Sequence, residues 1–337
     1  MREFLSWRAF AAEHGWRAAP LPAEHGAPGL QLTGPPAAAA APFSEAVPSW
    51  VADTPAGSWI ELQLRAGMDE RWTAFYRIAR WDGLAEHSRR SSFGPQRDAI
   101  GRVATDTLVL AEPARQIQAR VLLYGAPVLQ RLALALSGPG DAPMAMPAPA
   151  PAELPVPPRA QLDYPNGPNI CSPTALAMVL AYWHARTGDA RLAPFAERRA
   201  VAELTTPQVY DPLYEGHGNW GFNTAYAGSL GLDAYVARFG GIAELVPWLA
   251  AGVPVVISVA WQPGELANAP IASSRGHLLI VAGFDRHGQV IVADPRGERE
   301  AEVRRIYAAG QLERAWQHNS AGTAYLIHPR GWSVPAL

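Results

Sequence analysis

The single cysteine among the 337 residues, Cys171, stands where a thiol can do chemistry. It lies in Asn169-Ile170-Cys171-Ser172-Pro173-Thr174-Ala175-Leu176. Ser172 is a good N-cap, and Pro173 suits the first helical position, where its missing N–H would be unpaired anyway. This spacing predicts a cysteine just ahead of a helix N-terminus. The positive end of the helix dipole favours the thiolate, which is the nucleophilic form. A free cysteine is commonly a small buried hydrophobe, and the Cys-Ser-Pro helix start sets this one apart. A lone cysteine also excludes an intramolecular disulfide, a CxxC redox pair and a cysteine-based zinc site.

A thiol nucleophile needs a histidine within hydrogen-bond reach, and that histidine needs a partner to fix its tautomer. The chain has nine histidines. His277 heads the apolar run Leu278–Phe284, Asp285–Gly288 reads as a turn, and Gln289–Ala293 as the returning strand before Asp294-Pro295. His277 and Asp294 therefore stand at the open ends of one hairpin, where the carboxylate can accept from the imidazole. His287 falls in the turn and is expected in solvent. His217, in Gly216-His217-Gly218-Asn219-Trp220, is the more serious rival. With Asn219 and Trp220 it is a candidate for lining a substrate groove.

Cys-Ser-Pro-Thr-Ala-Leu-Ala-Met-Val-Leu-Ala-Tyr-Trp, followed by Gly-His-Leu-Leu-Ile-Val-Ala-Gly-Phe and Val-Ala-Asp-Pro, resembles the peptidase C39-like family. That family is a branch of the papain-like cysteine peptidases related to the bacteriocin-leader peptidases. The resemblance covers about residues 158–330. Gly-Asn-Trp-Gly-Phe-Asn-Thr-Ala and Ala-Gly-Val-Pro-Val-Val-Ile-Ser also look like family features. The preceding strand-rich region is similar to the N-terminal region of longer members, often secreted bacterial proteins. The resemblance implies a Cys–His–Asp triad of Cys171, His277 and Asp294, acting on a peptide or amide through an acyl-thioenzyme.

The oxyanion donor departs from the pattern. Papain-like enzymes usually carry a Gln about six residues before the cysteine, and here that position is Pro165. Gln161 is favoured instead, because Gln161-Leu162-Asp163-Tyr164 resembles the family's stretch ahead of the cysteine. Asn166 and Asn169 compete for the role. The Cys171 backbone N–H would be the second donor.

Other chemistries find no footing. There is no GxSxG elbow, HExxH, Walker loop or GxGxxG, and neither a metal nor a cofactor is expected. The net charge of −2 is spread along the chain without a basic stripe, and every basic residue is Arg, so no nucleic-acid partner is expected. No apolar run reaches the roughly 18–20 residues of a membrane span. Glu3 and the missing apolar stretch after it read as no signal peptide, which leaves localisation open, secretion included if the true start lies upstream.

The elements that must hold these residues divide the chain. Residues 1–45 are poorly defined: Phe4, Trp7 and Phe10 fit a short amphipathic helix, and Pro35–Pro42 an Ala/Pro loop. Over 46–137 apolar residues alternate, as in Ile60, Leu62, Leu64 and Ile117, Ala119, Val121, which predicts an antiparallel β-sandwich. Its tryptophans fit a core better than a carbohydrate-stacking face. Residues 138–157 read as a Pro/Ala-rich linker. Residues 158–337 read as helices first and antiparallel strands later, an α+β papain-like domain. The rival to the hydrolase is a catalytically idle papain-like clamp whose sandwich docks a polymer or protein partner.

Overall fold

A computed structural model describes residues 2–68, 71–84, 90–138 and 152–337. The chain forms an N-terminal antiparallel sheet followed by an α+β unit. Strands β1 (Arg2–Trp7), β2 (Arg17–Glu24), β3 (Ala27–Thr33), β4 (Ala37–Asp53), β5 (Trp59–Met68), β6 (Arg71–Trp72), β7 (Tyr76–Trp81), β8 (Ser91–Ser92), β9 (Gly101–Ala104), β10 (Thr107–Tyr124) and β11 (Val128–Ser137) make one sheet. Its spine is ordered β1-β11-β4-β10-β5-β7-β8. The first half of β10 pairs with β9 and β4, and the second half with β5 and β3. Register shifts between Val109 and Gln116 mark the changeover. A bulge there bends the strand and lets it serve two sets of neighbours.

Two sequence expectations for residues 1–45 fail. Phe4, Trp7 and their neighbours form strand β1, paired with β11 in the register Phe4↔Ala135 and Trp7↔Leu132. Pairing along an open sheet edge overrides a short helical spacing. The Ala/Pro tract enters β4 from Ala37. Pro42 is tolerated because it falls where the β4–β10 register shifts, between Ala38↔Gln116 and Phe43↔Ala114, and no ladder N–H is required of it. The Pro/Ala-rich stretch expected over 138–157 lies mostly outside the described residues.

The second sheet is ordered β13-β18-β14-β15-β16-β17, with β12 on β15. The strands are β12 (Ala152–Glu153), β13 (Leu232–Arg238), β14 (Val255–Trp261), β15 (Ser274–Phe284), β16 (Val290–Ala293), β17 (Arg304–Tyr307) and β18 (Thr323–Pro329). The helices are α1 (Cys171–Thr187), α2 (Thr206–Val209), α3 (Trp220–Ser229), α4 (Val246–Ala250) and α5 (Ala309–Ser320). Among the described residues no helix is long and apolar enough to cross a membrane.

Helix α3 packs against β4 and joins the two units. Trp50 and Trp81 of the first sheet meet Phe222 of α3, with ring centroids 5.3–6.2 Å apart. Trp16, Trp50, Trp59 and Trp81 are all buried, as core tryptophans should be. Close approach depends on two glycines seven residues apart on α3. A Cβ at Gly221 would lie 2.9 Å from the Trp50 ring, and one at Gly228 would lie 2.8 Å from Val51. Gly→Ala in a helix ordinarily gains up to about 1 kcal/mol, whereas overpacking costs about 1–3 kcal/mol. Gly228→Ala should therefore lower stability in urea unfolding, with an unchanged m value. A more stable variant would contradict this packing.

Candidate active site

Helix α1 begins at Cys171 itself, with Ile170 as N-cap and no side-chain cap. Ser172 is not the cap expected from the sequence. Its hydroxyl lies 3.0 Å from that of Tyr325 on β18. Pro173 is tolerated inside the first turn because the first four helical N–H groups have no intrahelical partner. The half-buried thiol still sits at the positive end of a 17-residue helix.

His277 lies on β15, and Asp294 directly follows β16. The register Ile280↔Ala293 brings both to the same end of the hairpin, as their sequence placement anticipates. His277 Nε2 is 2.7 Å from Asp294 Oδ1. The other ring nitrogen is left for the hydrogen bond between His277 and Cys171. Trp261 packs edge-on against the imidazole at 5.8 Å and fixes its plane. Asp294 has no solvent exposure. Its oxygens accept from His277, from Tyr307 Oη at 2.6 Å and from the Arg296 N–H at 2.9 Å.

The electrostatics follow from these contacts. Burial alone would push the Cys171 thiol up, but the hydrogen bond and charge of His277, with the N–H groups of Leu278 and Ser172, bring it below its ordinary value. Burial would likewise depress His277, and Asp294 with Cys171 overcomes this and pushes the imidazole up to about 10. Asp294 is held below the usual carboxylate range: burial opposes this, and His277, Tyr307 and the Arg296 N–H prevail. The arrangement favours a thiolate–imidazolium pair.

Gln161 is buried, its backbone N–H donates to Pro295 O at 2.7 Å, and its Nε2 donates to Gly167 O at 2.6 Å. It is thus tied both to the turn carrying Asp294 and to the loop before Cys171. Asn169 Nδ2 donates to Asn166 Oδ1 at 3.0 Å, so these two amides serve each other. A cleft of about 680 Å³ opens at Cys171, and His217 and Trp220 line it. Asn219 does not. It is fully buried as the N-cap of α3, accepting from the Phe222 N–H at 3.2 Å and donating to Asp211 at 3.0 Å. An Asn before a helix is more readily explained as a cap than as a ligand contact.

Sequence reasoning missed Tyr307, because nothing in its local sequence links it to Asp294. It also missed the part of the cleft supplied by the N-terminal sheet, where Glu45, Arg102, Thr105 and Asp106 line the opening. The alternation from Val103 to Val109 reads as one strand, whereas the chain turns at Thr105-Asp106 between β9 and β10, and nothing in that alternation signals what the turn touches.

Residues 153–323 match the family described as Peptidase C39-like, and residues 30–137 match the Peptidase C39 N-terminal domain. No curated protein matches the chain.

With its pKa lowered, Cys171 should be alkylated by iodoacetamide near pH 6, where an ordinary thiol is almost wholly protonated. In His277→Ala the burial remains and the compensation is lost, so the thiol pKa rises. The rate at pH 6 should then fall by about tenfold or more, since one pKa unit is a factor of ten in thiolate. Equal rates in the two proteins would contradict the assignment.

Proposed function

The chain belongs to the Peptidase C39-like family, and on that footing we propose that it is a cysteine peptidase or amide hydrolase working through an acyl-thioenzyme. The observation that carries the reading is the contact of a helix-start cysteine with a histidine whose far nitrogen is held 2.7 Å from a buried carboxylate. The Cys171 thiolate attacks the substrate carbonyl carbon and forms the S–C bond. The carbonyl electrons move to oxygen, where the Cys171 backbone N–H and the Gln161 side chain are the donors. The tetrahedral species collapses as the His277 imidazolium gives its proton to the leaving nitrogen and the C–N bond breaks. His277, now neutral, takes a proton from water. The hydroxide adds to the thioester, and the thiolate leaves with the acid product. Asp294 stays ionised throughout, holding the ring and stabilising its charged form.

Gln161 suits the oxyanion role because both its backbone and its side chain are anchored, so little reorganisation is needed when charge develops. An amide nitrogen has two hydrogens, and the contact with Gly167 uses one of them. A catalytically idle clamp would have no use for a thiol drawn below its ordinary pKa against the cost of burial, which favours the hydrolase over the binding reading.

Cys171→Ala should abolish hydrolysis of a peptide the wild type cleaves. Gln161→Ala should lower kcat by about 10²–10³ with KM nearly unchanged, because the oxyanion exists only in the transition state. Its iodoacetamide reactivity should persist, since alkylation forms no oxyanion. Full kcat in Gln161→Ala would move the donor role to Asn166 or Asn169, and hydrolysis by Cys171→Ala would remove the nucleophile assignment altogether.

A further inference from the structure

A second pocket, of about 380 Å³, is lined from both sheets and shares no lining residue with the cleft at Cys171. Three arginines line it: Arg8 just after β1, Arg131 on β11 and Arg330 just after β18. Asp233, on β13, is the one carboxylate among the described residues that line it. Arg8 donates to Asp233 Oδ2, and Arg131 Nη1 donates to Asp233 Oδ1 at 2.8 Å, so both oxygens of that carboxylate are taken. Arg330 donates to the Gln130 side-chain carbonyl. Asp53 accepts from the Gln130 amide and does not line the pocket. The lining thus carries three positive charges against one negative.

Arg131 is the fixed member of the three. It is 8% exposed, its Nε donates to Ser6 Oγ at 3.2 Å, and its guanidinium lies 4.2 Å from the centre of the Tyr235 ring. Burial pulls its pKa below the ordinary value; Asp233 opposes this and Arg8 adds to it. A bulge helps to build the site. The β11–β4 register passes from Leu129↔Ala52 to Arg131↔Val51, which leaves Gln130 as an extra residue. Adjacent strand residues ordinarily face opposite sides, and here Gln130 and Arg131 both line the pocket.

Like charges gathered around one space repel each other, and a bound anion relieves this. Each guanidinium has five N–H donors and no acceptor, and the contacts above use only some of them. A monocarboxylate brings one charge and two oxygens in a plane. A phosphate group brings nearly two charges and offers oxygens on several sides, which guanidinium forks bond in pairs. We propose that this pocket binds a phosphate group, as inorganic phosphate or as a monoester, between Arg8, Arg131 and Arg330. Arg8 and Arg131 belong to the first unit and Arg330 to the second, so the bound anion clamps the two together. The site does not depend on the peptidase reading.

Equilibrium dialysis of the full-length protein against labelled inorganic phosphate, up to millimolar concentrations and at constant ionic strength, tests the site. One phosphate per chain should bind saturably. Arg8→Gln and Arg330→Gln should each weaken binding by about tenfold or more, as expected when a charge-assisted hydrogen bond is lost. Both side chains are exposed, so both variants should fold, and a cooperative urea transition checks this. The wild-type urea midpoint should rise with phosphate, by linkage, and the rise should shrink in both variants. Phenyl phosphate then competes for the site. Displacement of the label at lower concentration than unlabelled phosphate requires assigns the site to a monoester, and displacement only at higher concentration, or none, assigns it to the free ion. The proposal is overturned if saturable binding is absent, or if either folded variant binds phosphate as tightly as the wild type. Should one variant not fold, the other decides on the same terms.

Discussion

Asp294 carries its charge with no access to solvent. An isolated carboxylate in such a place would cost several kcal/mol even after relaxation, so the surrounding chain must supply donors. One comes from His277 across the β15–β16 hairpin, one from Tyr307 on the adjacent β17, and one from the Arg296 N–H in the turn that follows. The sheet order β15-β16-β17 brings all of these to one point. Because the negative charge is fixed there, the imidazole next to it is favoured in its charged form, and a thiol next to the imidazole is favoured as thiolate. Removing any one partner leaves an uncompensated buried group, which couples the chemistry of the site to the stability of the second sheet.

The helical side of the cleft answers to a different constraint. Helix α3 is pressed onto β4 through Gly221 and Gly228, and its first N–H is held by Asp106. Arg238, at the end of β13, is buried and reaches Glu45 of β4 at 2.6 Å and Thr323 of β18 at 3.1 Å. Arg131 of β11 meets Asp233 of β13 at 2.8 Å. These contacts run between the sheets, and of the residues that make them Glu45, Asp106, Trp220 and Arg238 line the cleft. The first sheet therefore belongs to the architecture of the site, although its strands carry neither the thiol nor the imidazole.

Much of this was legible in the sequence because it depends on local signals. The alternation of Ile60, Leu62 and Leu64 marks a strand, and Gly276-His277 followed by an apolar run, a turn and Val-Ala-Asp-Pro marks a hairpin with two polar ends. The Cys-Ser-Pro segment locates a helix start to within a residue, although Ser172 turns to Tyr325 and leaves the cap to Ile170. What was not legible depends on distant pairing. The spacing of Phe4 and Trp7 suits a helix until β11 offers a free edge. Asn219 looks like a groove residue until α3 is seen to begin at Trp220. Tyr307 and Asp106 act on residues 13 and 114 positions away, and no spacing rule connects them.

The central claim is that Cys171, driven by His277 and Asp294, takes up an acyl group. The most direct measurement is the intact mass of acid-quenched protein after brief mixing with the p-nitrophenyl ester of an N-acetylated amino acid. The account predicts one acyl group per chain, found on the tryptic peptide containing Cys171, rising within the mixing time and then decaying as the thioester is hydrolysed. In His277→Ala the adduct should form slowly and fail to decay. An adduct on another residue, or one at Cys171 that forms and decays equally fast without His277, would contradict it.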